Sequence, residues 1–311
     1  MKIQRTPLTK QGFTLIELMV AMSITTIIVT VLVYITAIAT DVWNRSRAEL
    51  RASRQAKVMI DSMARDFETL VIRRGNDSEW LSAVSSEEQL GDKVQSTNAS
   101  NLIFFTGSSD RYDGDIGVEG KDLGGDVSCV AYKLRYDDPI DKNGTIHKTF
   151  ILNRLLIDPK ETFDELLGQP DLVNAFAQNN TELESQNQFI CENVFQFTIT
   201  FMIECNNVVS PSSSRIVTVP VSLSSNAGGT GVTQSLKINK NGIDTQVSPP
   251  SSVTADEVKA GRITSIEVSI TVVADSVVDQ LRTRTFTETQ KAELLARNSF
   301  NYAKRIRVPG M

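Results

Sequence analysis

The sequence predicts an α+β protein in which a long amino-terminal helix packs on an antiparallel β-sheet head. Three observations predict it. Phe13–Ala39 is a run of 27 apolar, small or hydroxylated residues with one charge, Glu17. Ala56, Met59, Ile60, Met63, Phe67, Leu70 and Val71 then recur at three- and four-residue spacing, in a stretch (41–74) without Gly or Pro. That is the stripe of an amphipathic helix. Beyond residue 100 the period changes to two, most clearly in Val194–Glu204, which is strand spacing.

Met1–Gly12 contains Lys2, Arg5 and Lys10 and no acidic residue. Positive charge before an apolar span keeps that end cytoplasmic. As a helix the apolar run is ~40 Å long, enough to cross a ~30 Å hydrocarbon core. Asp41 and Arg45 mark its exit. A secretory signal peptide has an apolar core of only about 7–15 residues and a small-residue cut site; Ala37-Ile38-Ala39 is a weak match. The expected organisation is a leader at 1–12, a transmembrane helix at 13–40 and an extracytoplasmic amphipathic helix at 41–74. Gly75-Asn76-Asp77 is the expected stop, and a β-rich head fills 75–311. The predicted location is the inner (cytoplasmic) membrane, single pass, with the head periplasmic.

Glu17 is the informative residue in the span. An ionised carboxylate in a bilayer costs several kcal/mol and usually has a partner or a function. One reading places it at the interface, where the helix macrodipole favours an acid at the amino end. The other gives it a charged partner.

Gly12-Phe13-Thr14-Leu15-Ile16-Glu17, with basic residues upstream, resembles the signature of the type IV pilin and pseudopilin family, G-F-T-L-x-E-x-x-[VI]. The match runs over Gly12–Val20. The resemblance implies a pilin-like fold and cleavage between Gly12 and Phe13 by a prepilin peptidase. It further implies N-methylation of Phe13 and packing against other pilins or pseudopilins through the helix. Glu17 would then neutralise the Phe13 amine of an adjacent subunit. The physics agrees: Gly12 lets an extended peptide enter a tight cleft. Opposite charges in low dielectric attract strongly and remove each other's burial penalty.

In the head, strands are predicted at Leu102–Thr106, Ser128–Tyr136, Thr149–Leu155, Arg215–Leu223, Arg262–Ala274 and Tyr302–Val308. In Val194–Glu204, Phe195, Phe197, Ile199, Phe201 and Ile203 share one face. Asn143-Gly144 signals a tight hairpin turn. Trp80–Ser100 reads as a polar connector. Thr162–Gln178 and Thr287–Asn298 read as helical, the latter with a capping Thr287. The Ser/Asn/Gly/Pro-rich stretch 206–253 reads as a loop insertion around an edge hairpin.

The remaining residues exclude several function classes. The net charge is −5, which argues against nucleic-acid binding. One histidine, His147, sits beside a turn signal and offers neither a catalytic triad nor a His-based metal site. Cys129, Cys191 and Cys205 lack metal-ligand spacing. A Cys191–Cys205 bridge is disfavoured, because Val194–Glu204 as one strand spans ~35 Å against the ~6 Å a bridge allows. Asp110, Asp113, Asp115 and Asp122, and Asp137, Asp138 and Asp141, do not fit the calcium-loop pattern and read as solvated turns. Gly228-Gly229-Thr230-Gly231 lacks the Lys of a phosphate loop. No catalytic residue, metal or cofactor is expected, and the protein is not predicted to be an enzyme.

Three fragments resemble the J-type minor pseudopilin of type II secretion: Leu152-Asn153-Arg154, Glu192-Asn193-Val194 with Phe197, and the late strand Ile263–Val273. Gly261-Arg262 stands where that group often has Pro. The signature Glu17 argues against the K-type tip subunit. The resemblance implies a structural subunit of a type II secretion-like pseudopilus tip. A minor type IV pilin for adhesion, motility or DNA uptake, and a membrane-tethered binding protein, are the alternatives.

Overall fold

The computed structural model describes residues 14–73, 77–85, 90–107 apart from 92, 94 and 97, 125–141, 144, 146–210, 213–223 and 234–308. Gly12, Phe13 and the cluster Asp110–Asp122 lie outside these residues. The chain divides into two compact units, Met1–Ala48 and Glu49–Met311.

The first unit is the apolar part of helix α1 (Leu15–Glu68), long and apolar enough to cross a membrane. Its side chains are exposed along its length. All six Ser and Thr hydroxyls from Ser23 to Thr40 donate to the carbonyl four residues back, each at 2.8 Å. Each hydroxyl therefore carries its own acceptor into an apolar medium, where an unpaired polar group is costly.

In the second unit, α1 buries Ala52, Ala56, Met59, Ile60, Met63, Ala64, Asp66 and Phe67, the predicted stripe plus one acid. The helix ends at Glu68, short of the expected 74. Thr69–Ile72 leaves it because its backbone bonds to a strand instead. Leu70 bridges Thr106, and the Val71 amide donates to the Phe105 carbonyl at 2.9 Å.

The head is two antiparallel sheets, where the sequence suggested one. The first holds β1 (Leu81–Ser85), β2 (Ser100–Thr106), β3 (Ser128–Asp137), β4 (Thr149–Leu156), β5 (Phe189–Glu192), β8 (Ser235–Asn239) and β9 (Gly242–Thr245), in the order β5-β4-β3-β2-β1-β8-β9. The second holds β6 (Val194–Ser210), β7 (Ser213–Ser222), β10 (Arg262–Val273) and β11 (Ser299–Arg307), in the order β11-β10-β6-β7. The predicted alternation in β6 holds: Phe195, Phe197, Ile199, Phe201 and Ile203 are buried.

The chain changes sheets at Asn193, the one described non-glycine residue with positive φ, at 59°. Asn tolerates this left-handed conformation better than most residues. Here its side chain is also held: Thr149 Oγ1 donates to Asn193 Oδ1 at 2.6 Å, and Asn193 Nδ2 donates to Asp275.

The first sheet is covered on both faces. On one, Phe67 of α1 stacks on Phe104, with centroids 4.6 Å apart and planes 4° apart. On the other, a second core joins Trp80, Phe105, Cys129, Ala131 and Leu155 to Leu166, Leu172, Phe176 and Leu183. These last four come from short helical turns between Pro159 and Leu183, within and just beyond the predicted helical stretch. Each fully buried Leu or Phe contributes roughly 1.5–3 kcal/mol, so the turns are a structural layer.

Three further sequence readings change. Trp80–Ser100 contains β1, and so is not only a connector. β3 and β4 pair out only to Asp137↔Thr149, so residues 138–148 connect them, and Asn143 of the expected turn lies outside the described residues. Residues 206–253 include the expected β6–β7 hairpin, but also β8 and β9, which extend the first sheet beside β1. The β8–β9 turn ends on Gly242 at φ +106°, where an added Cβ would lie 2.0 Å from the Lys259 carbonyl oxygen. Gly242→Ala is therefore expected to destabilise the head by about 1–3 kcal/mol, read as a lower urea midpoint by Trp fluorescence.

Candidate functional site

α1 starts with a reciprocal cap. Thr14 precedes the first helical residue, and Glu17 sits at the third helical position. The Glu17 amide donates to Thr14 Oγ1 at 3.3 Å. In return Glu17 Oε2 accepts from the Thr14 amide and hydroxyl, each at 2.9 Å. This Thr-x-x-Glu arrangement is a capping box. It satisfies free amides at the helix start and places the carboxylate where the macrodipole favours it. Both Thr14 donors use Oε2, so the cap does not consume Oε1.

The sequence reading set macrodipole against charged partner; the structure gives Glu17 a local task that neither named. The signal was present as Thr14-Leu15-Ile16-Glu17. Glu17 is thus held at the first turn of an apolar helix, next to the predicted cut.

Residues 8–33 match the family model for the prokaryotic N-terminal methylation motif. The chain carries that motif. The methylation motif indicates a type IV pilin-like or pseudopilin protein, and implies processing by prepilin peptidase and assembly with pilin-family subunits. The apolar helix that follows fits membrane anchoring. No curated protein and no solved structure matches the chain.

A second constellation, which sequence reasoning missed, ties α1 to the head. Asp66 is 1% exposed. Arg154 of β4 grips it with two bonds, Nε to Oδ2 and Nη2 to Oδ1, both at 2.8 Å. The Tyr132 hydroxyl donates to the same carboxylate. Burial, and then the Asp66 charge, push the Tyr132 phenol well above its ordinary value, so it stays a donor. Alongside, Thr106 Oγ1 donates to the Asp66 carbonyl at 2.9 Å. An acid at position 66, inside the apolar stripe, was the available signal.

Two of the three fragments quoted above contribute residues to such junctions. Arg154 holds α1, while Asn153 Nδ2 donates to the Leu183 carbonyl at 2.9 Å on the opposite face. Asn193 makes the sheet change.

Asp138 organises the β3–β4 loop. Its Oδ1 accepts from the amides of Ile140 and Asp141, and its Oδ2 from that of His147, at 2.9–3.1 Å. Burial acts to raise this carboxyl, but the three amides outweigh it and hold it below its ordinary value. Because the folded value lies below the unfolded one, this support is complete above about pH 4 and is lost as pH falls through the depressed value. Among the described residues no group of His, Cys, Asp and Glu is arranged to hold a metal.

The three cysteines are buried and unbridged. Burial raises all three thiols, with Glu161 adding at Cys129 and Glu257 at Cys205. Cys191 is pushed up to about 12 by burial, with Glu192 adding to it. Reactivity follows the thiolate. Iodoacetamide at pH 8 is therefore expected to leave the native protein unlabelled and to add three groups in urea, read by intact mass.

Proposed function

We propose that the protein is a minor pseudopilin, a non-enzymatic structural subunit near the tip of a type II secretion-like pseudopilus. In this reading prepilin peptidase cuts between Gly12 and Phe13 and methylates Phe13. The apolar part of α1 resides in the inner membrane with the amino terminus cytoplasmic, then packs among other subunit helices. The head is presented on the periplasmic side. The observation that carries the reading is the methylation motif, set at the capped start of a helix whose Ser and Thr hydroxyls from Ser23 to Thr40 are all bonded within the helix. A head larger than a single compact sheet supports a minor over a major subunit.

Mass spectrometry of the mature protein is expected to find N-methylated Phe13 at the amino terminus. A terminus at Met1, or after Ala39, overturns the reading. Deleting the gene is expected to block export through a secretion apparatus while leaving surface pili intact. The reverse outcome assigns a minor type IV pilin instead.

A further inference from the structure

Asn241 lies in the turn between β8 and β9, and Gly242 follows it. In an Asn-Gly pair the backbone nitrogen of the glycine can attack the side-chain carboxamide, because no Cβ crowds the nucleophile. Asn241 is exposed, and its carboxamide has no hydrogen-bond partner among the described residues. Its backbone amide alone is held, by Asn239 Oδ1 at 2.9 Å. The electrophile is therefore free to turn toward the Gly242 nitrogen.

Attack in the folded protein depends on how readily the turn opens. β9 is a four-residue strand at the edge of the first sheet, and Asn239↔Gly242 is the last pair before the turn. Such an end opens at small cost. The chain's other Asn-Gly pair, Asn143-Gly144, has the same local chemistry in a different setting. The Gly144 amide donates to the Asp141 carbonyl at 2.8 Å, and an added Cβ there would lie 2.5 Å from Asp138 Oδ2. Its loop is tied to that buried carboxylate by three further amides.

We propose that Asn241 is a covalent modification site, the residue at which the folded head deamidates. The Gly242 nitrogen bonds to Asn241 Cγ and gives up its proton, ammonia leaves, and a succinimide ring joins the two residues. Water then adds to one ring carbonyl and breaks its bond to nitrogen. Opening at one carbonyl leaves aspartate at this position. Opening at the other leaves isoaspartate, whose main chain is one methylene longer. Nothing is oxidised or reduced. The longer turn has no room, since even an added Cβ at Gly242 would lie 2.0 Å from the Lys259 carbonyl oxygen. Isoaspartate therefore pushes β9 away from the helix Ala255–Ala260.

The test ages the full-length protein at pH 8 in nanodiscs, folded and in urea. Mass spectrometry with electron-transfer fragmentation locates isoaspartate, after digestion by a protease that spares Lys240. In the folded protein isoaspartate is expected to form at Asn241 about tenfold faster than at Asn143, the factor that a difference in opening free energy of about 1.4 kcal/mol supplies. In urea the two rates are expected to converge. Asn241→Gln, which would need a larger ring, is expected to abolish the product at this position. Its urea midpoint is expected to hold on ageing, while that of the unaltered protein falls with the modified fraction. Deamidation of Asn241 only in urea, equal rates at the two sites in the folded protein, or a midpoint that stays constant as isoaspartate accumulates overturns the proposal.

Discussion

Asp66→Ala is expected to destabilise the head by about 3–5 kcal/mol, the range for removing one partner of a buried ion pair. The size comes from what remains. Arg154 would keep its charge with its side chain only 17% exposed, and Tyr132 would lose its acceptor in a buried site. Asp66→Asn preserves the shape but leaves the guanidinium without a counter-charge, so most of the loss is expected there too. The double variant Asp66→Leu with Arg154→Met removes both charges and is expected to recover much of the stability, since apolar replacement of a buried pair is often neutral. Urea unfolding of the full chain, followed by Trp80 fluorescence, reports it, because Trp80 is buried against Phe105. If Asp66→Ala costs under about 1 kcal/mol, comparable with a surface pair, the site does not anchor α1.

This site also shows where sequence reading stops. The stripe from Ala56 to Val71 was legible because helical burial is periodic. Asp66 lies within that stripe, yet a charge counts against burial until a partner 88 residues away is placed beside it. The same limit explains the two sheets. β6 and β10 were plain from alternation, but the break between β5 and β6 is one backbone conformation at Asn193, which leaves no periodic trace. β8 and β9 are five and four residues long. Only Leu236, Ile238 and Ile243 of them are buried hydrophobics, too few to stand out in a Ser- and Gly-rich stretch. The helical turns over the first sheet were legible as helix, but not as a layer closing a second core. At the amino terminus the signature was fully legible, whereas the hydrogen-bond geometry of Glu17 was not.

That geometry separates two roles for Glu17, and the expected result is that charge dominates. Under the assembly proposal the Glu17 carboxylate meets the Phe13 ammonium of a neighbouring subunit, and removing it leaves a cation unpaired in an apolar surround. Glu17→Gln keeps a side-chain oxygen able to accept from Thr14, so the cap survives while the charge goes. Thr14→Val removes the hydroxyl and keeps the charge, at a capping cost of about 0.5–2 kcal/mol. Glu17→Val removes both. The pairing role predicts that Glu17→Gln and Glu17→Val both lose incorporation into the sheared filament fraction by tenfold or more, the factor that each 1.4 kcal/mol supplies. Thr14→Val should lose only a few-fold. If the box alone matters, Glu17→Gln assembles like the unaltered protein and Thr14→Val fails like Glu17→Val. Quantitative immunoblotting of sheared and membrane fractions, with the Phe13 terminus checked by mass spectrometry in each variant, distinguishes a failure to assemble from a failure to be cut. The two roles are physically compatible, because Thr14 engages only Oε2. A carboxylate already fixed by its own helix start loses less side-chain entropy when it meets the ammonium, so the cap would strengthen the pairing.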